Sequence, residues 1–92
     1  MKPKNYCFEV NIGPKERRLP DVRPKQRLDN LIKLTIDNLG LESSAVSPQI
    51  DVANAYEPYD FLITVRGHKF ARTLLSEINE LKGYVAKFGE MS

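Results

Sequence analysis

Along residues 5–12, NYCFEVNI, apolar and polar positions change places at every step, Tyr6, Phe8, Val10 and Ile12 against Cys7, Glu9 and Asn11. A period of two predicts a strand with one buried face. Gly13 and Pro14 end it. After a basic interval the period changes: Leu28, Leu31, Ile32, Thr35, Ile36 and Leu39 recur at spacings of three and four, which predicts an amphipathic helix over residues 27–40. Pro24 suits its first turn, where a missing N–H costs nothing. Gly40 suits its end, where positive φ is often needed.

Residues 49–56, QIDVANAY, alternate again, with Ile50, Val52 and Tyr56 on one side. Glu57 and Pro58 turn the chain into YDFLITVRG, where Phe61, Ile63 and Val65 oppose Asp60, Leu62, Thr64 and Arg66. The two strands are expected to pair antiparallel. Phe70, Ala71, Leu74, Leu75, Ile78 and Leu81 follow helical spacing over residues 68–81, Gly83 closes that helix, and YVAKFGEM is a short candidate fourth strand. The predicted order is β-α-β-β-α-β. With right-handed crossovers it gives an α+β domain of the ferredoxin-like type, two helices on one face of a four-stranded antiparallel sheet and the other face bare. One such domain is expected over residues 1–92, with a basic, proline-rich connection at residues 14–27.

Composition agrees with one globular domain: 92 residues, 41% hydrophobic and 28% charged. A chain this short buries only about 60% of its unfolded surface, so a partner subunit is expected to add to its stability. The net charge of +2 is unevenly placed, because PKERRLPDVRPKQR carries six Lys or Arg, two acids and three prolines. Arg17, Arg18, Arg23, Lys25 and Arg27 are the candidates for contact with a polyanion or an acidic protein. The same stretch also reads as a solvated connection. Loops collect charge, Glu16 and Asp21 dilute it, and no aromatic side chain is interleaved to stack on bases.

Little in the chain points to catalysis. The single Cys7 excludes an intramolecular disulfide, and one Cys with one His cannot make a zinc site from one chain. Cys7 falls mid-strand, His68 opens a helix, the glycines are scattered, and Asp51 and Asp60 on adjacent strands read as solvated acids. No catalytic residue, metal or cofactor is expected. No apolar run approaches the roughly 20 residues a membrane span needs, and the start MKPKNYCFEV has no apolar signal core. A reducing, cytoplasmic setting without membrane contact is the expectation.

Two resemblances bear on function. CFEVNI, through Phe8, Asn11 and Ile12, and YDFLITV, through Tyr59 and Phe61, faintly resemble the two strand signatures of the RNA-recognition motif. Alternation argues against it: turning Phe8 and Phe61 outward to stack on RNA would drive Glu9 and Asp60 into the core, at a cost exceeding what two stacked bases return. The aromatics are expected in the core. Residues 50–91 are similar to the second half of ligand-sensing ACT domains and of the effector domains of leucine-responsive regulators. Tyr59, Asp60, Phe61, Leu62, Ile63 and Val65 stand for their turn and apolar strand, and Leu81, Lys82, Gly83 and Val85 for a turn that starts the last strand. The resemblance implies a domain that associates through its sheet, for which Leu62 and Thr64 on the bare face are the candidate seam. The reading reached is a non-catalytic interaction domain that forms a homodimer and binds a larger protein partner. Nucleic-acid binding through residues 14–27 is the alternative, and a small-molecule sensor the third.

Overall fold

The computed structural model describes residues 4–17 and 22–89. The elements are β1 (Asn5–Ile12), α1 (Pro14–Arg17), α2 (Val22–Asn38), α3 (Ser43–Val46), β2 (Gln49–Val52), β3 (Phe61–Arg66), α4 (His68–Glu80) and β4 (Tyr84–Phe88). Among the described residues the four strands form one sheet in the order β2-β3-β1-β4. Every neighbouring pair is antiparallel. The protein is therefore α+β, with an open four-stranded antiparallel sheet.

The period-two residues of the strands supply one wall of the core. Phe8 and Val10 of β1, Phe61, Ile63 and Val65 of β3, and Tyr84 and Ala86 of β4 are buried on a single face. Leu28, Ile32 and Ile36 of α2 and Phe70, Ala71, Leu74 and Ile78 of α4 close over them, so both long helices lie on that side. Phe8 and Phe61 are 0% and 4% exposed. They are core residues, as the alternation argument required. The opposite face carries Cys7, Glu9, Leu62, Thr64 and Lys87 and is covered by no helix among the described residues.

Three local features differ from expectation. The connection at residues 14–27 is largely helical, because α1 takes up residues 14–17 and α2 begins at Val22. Prolines permit this: Pro14 is the first residue of α1 and Pro24 the third of α2, where backbone N–H groups have no partner within the helix. Second, β2 stops at Val52. The Asn54 side chain accepts from the Tyr56 N–H at 2.9 Å, a turn that takes residues 53–56 out of the strand. Third, α3 is an unpredicted single turn that buries Val46 and ends with Ser47 in the left-handed region at φ 44°. Gly40 adopts φ +65° beyond the end of α2, as its position required.

Candidate interaction surfaces

Two arginines of the basic stretch are engaged with the protein itself. Arg17 donates to the Ile12 carbonyl at 3.2 Å and to the Asp60 carboxylate at 3.0 Å, and that carboxylate also accepts from the Ile12 N–H at 2.9 Å. Arg27 donates to Glu16 at 3.1 Å. The other oxygen of Glu16 accepts from the Tyr84 hydroxyl at 3.2 Å, which ties α1 to the start of β4. Burial, and then the neighbouring Glu16 carboxylate, raise the Tyr84 phenol above its ordinary pKa. Of the five basic candidates, Arg17 and Arg27 thus hold the corner between β1, α1 and α2. Arg23 and Lys25 are exposed on α2, and Arg18 lies outside the described residues.

The two edges of the sheet differ. Antiparallel ladders alternate bonded and non-bonded residue pairs. Between β1 and β4 the bonds from Gly13 N–H to the Gly83 carbonyl and from Gly89 N–H to the Cys7 carbonyl, both 2.8 Å, set the phase. Tyr84, Ala86 and Phe88, opposite Ile12, Val10 and Phe8, therefore aim their peptide groups outward. Asn79 of α4 caps this edge at Ala86: its amide donates to the Ala86 carbonyl at 2.9 Å, and its carbonyl oxygen accepts from the Ala86 N–H at 2.8 Å. A side chain there takes the place of a neighbouring strand.

The β2 edge has no such cover. The Ala53 N–H bonds the Asp60 carbonyl at 3.0 Å, so Gln49 and Asp51, opposite Thr64 and Leu62, bond inward, and Ile50 and Val52 present their peptide groups outward. Among the described residues no side chain bonds to them. Val52 is 58% exposed, and Tyr56, just beyond it, 96%. Leu62 and Thr64, the predicted seam, sit on the bare face one strand in from this edge and are half-buried. A shallow depression formed by Cys7, Glu9, Tyr59, Leu62 and Lys87 continues the surface across that face.

Chemistry at these surfaces is limited. Burial, and then the Glu9 carboxylate, raise the Cys7 thiol, which keeps it protonated and weakly nucleophilic at neutral pH. Asp51 and Asp60 do not meet, since Asp60 is spent on Ile12 and Arg17. No group of three metal-ligating side chains occurs among the described residues, and no helix among them is long and apolar enough to cross a membrane. An open groove of about 500 Å³ lies between α1 and the loop after β2, and the charged pair in it, Arg17 and Asp60, is mutually satisfied.

Sequence reading passed over two features. One is Asn79, whose role depends on a strand seven residues away. The other is a run without acids: residues 61–76 contain Arg66, His68, Lys69 and Arg72 and no Asp or Glu. Comparison of the chain with protein-family models, curated proteins and solved structures finds no match.

Proposed function

We propose that this chain is a small non-catalytic interaction domain of ferredoxin-like architecture that pairs with a second copy through the β2 side of its sheet and, so assembled, docks a larger protein partner. The observation that carries the reading is the asymmetry of the edges. One is capped at its middle outward-facing residue by Asn79, while the other leaves the peptide groups of Ile50 and Val52 open beside an exposed Val52. An open edge is a template for another strand, and natural sheets commonly block the edges they do not use. The strand order supports the architecture. β1 and β2 flank β3, and β3 and β4 flank β1, so two β-α-β halves interleave with α2 and α4 on one face.

Self-pairing has a preferred register. A two-fold centred on Ile50 sets Asp51 opposite Gln49, whereas one centred on Asp51 would bring two carboxylates face to face. Sedimentation velocity at micromolar concentration tests this. The protein should sediment as a dimer, and Val52→Pro, which deletes one outward N–H and leaves the inward ladder intact, should give a folded monomer. Retention of the dimer in Val52→Pro but not in a Leu62→Lys, Thr64→Glu double variant would move the seam to the bare face. A monomeric wild type would end the reading.

A further inference from the structure

Three cations, a histidine and a row of aromatic rings meet at one end of the sheet, away from the β2 edge. Tyr6 lies with its ring 5.6 Å from His68 and 6.0 Å from Phe88, and Phe88 lies 5.3 Å from Phe8. Phe88 is 45% exposed. The Lys4 carbonyl accepts from the Gly67 N–H at 2.9 Å, which sets Lys4 beside the start of α4. His68, Arg72 and Asn79 recur at spacings of four and seven, so they share one stripe of α4. Asn79 of that stripe bonds the β4 edge, and the same side of the helix therefore carries Arg72 toward the end of β4 that holds Phe88. Lys69 is exposed on the same first turn. None of Lys4, Lys69 and Arg72 joins an ion pair among the described residues. The surrounding sequence offers them no acid within residues 1–8 or 61–76.

This is the combination that residues 14–27 lack. Their arginines are partly spent on Glu16 and Asp60, and no aromatic stands among them. At the sheet end the cations are unspent and flank a half-exposed ring. Phosphates recruit unpaired Lys and Arg, and an exposed aromatic surface between cations adds a stacking site that any base can use. We propose that this end of the sheet, built from Lys4, Tyr6, His68, Lys69, Arg72 and Phe88, binds single-stranded nucleic acid without sequence preference.

The test is fluorescence anisotropy of the full chain with a short labelled single-stranded RNA of mixed sequence and with its duplex, at about 50 and about 200 mM salt. The single strand should bind more tightly than the duplex. A Lys4→Ser, Lys69→Ser, Arg72→Ser variant should lower the slope of log affinity against log salt by about two, at roughly 0.7 per phosphate contact on a single strand. Phe88→Leu keeps an apolar residue on Phe8 and should weaken single-strand binding by about fivefold or more, the lower end of one stacked base, with the salt slope unchanged. Arg23→Ser with Lys25→Ser should change nothing. Thermal melts of each variant confirm folding. Absence of binding at the lower salt overturns the proposal, as does equal affinity for duplex with no effect of Phe88→Leu. Loss of binding in the Arg23, Lys25 variant in place of the sheet-end variant would return the contact to α2.

Discussion

Asn79 shows how much one side chain can decide about the surface of a small sheet. Its carboxamide matches the peptide group of Ala86 donor for acceptor, so the middle of an edge that would otherwise accept another chain is closed from within. Both bonds are part-buried. Truncation to Ala leaves two backbone groups without partners, and Asn79→Ala should lose about 1–3 kcal/mol of stability in urea denaturation. It should also increase concentration-dependent association by sedimentation, because the edge reopens. Tyr84 makes a separate prediction through pH. Its phenol ionises at a higher pH in the fold than in the unfolded chain, because burial and then Glu16 oppose the charged form. Above the ordinary tyrosine pKa the unfolded chain has therefore released more protons, and stability must fall as pH rises. Cys7, also raised, acts in the same direction at lower pH. Denaturation curves across the alkaline range should show that fall, and Tyr84→Phe should flatten its upper part even though losing the Glu16 contact lowers stability throughout.

Among the elements, the sequence was legible where periodicity met burial. β1, β3 and α4 follow their apolar spacing within a residue or so, because each has one buried face and the core admits one register. Where local polar bonds decide, the pattern misleads. Residues 53–56 continue the alternation of β2 yet leave the strand, since the Asn54 side chain offers the backbone a competing partner. Residues 14–17 and 22–27 have no apolar stripe, and two prolines and five cations make them look unstructured. Their helices are held by contacts to Asp60, Glu16 and Ile12 that no local pattern encodes. For the same reason the basic residues were legible as a set but not as a surface. The junction between β3 and α4 depends instead on one backbone angle: Gly67 sits at φ +100°, ψ 130°, a region closed to other residues, although a Cβ there would meet no atom within 4 Å. Strain alone should therefore make Gly67→Ala cost about 1–3 kcal/mol in chemical denaturation. Gly40→Asn, at φ +65°, should cost less, because Asn tolerates the left-handed helical region.

At the scale of the whole molecule, the two proposed surfaces lie on opposite edges of the sheet, and this gives them a joint consequence. Pairing through β2 would make a continuous eight-stranded sheet in which the two sheet ends carrying Phe88 face outward, with the two β4 edges about 34 Å apart at the usual strand spacing. The dimer then presents two equivalent platforms, and a strand long enough to reach both would bind the second in an intramolecular step, at an effective concentration that can reach the millimolar range for a short flexible connection. Short oligonucleotides cannot reach both. Wild-type protein is therefore expected to hold a long single strand more tightly than the doubling of available positions explains. Val52→Pro should abolish that excess while leaving affinity for the short oligonucleotide unchanged, whereas Phe88→Leu should lower both. Anisotropy titrations of the two lengths against the three proteins separate these outcomes. If the long-strand excess survives in monomeric Val52→Pro, the gain comes from several chains packing along one strand, and the link between edge pairing and nucleic-acid binding fails even if each stands alone.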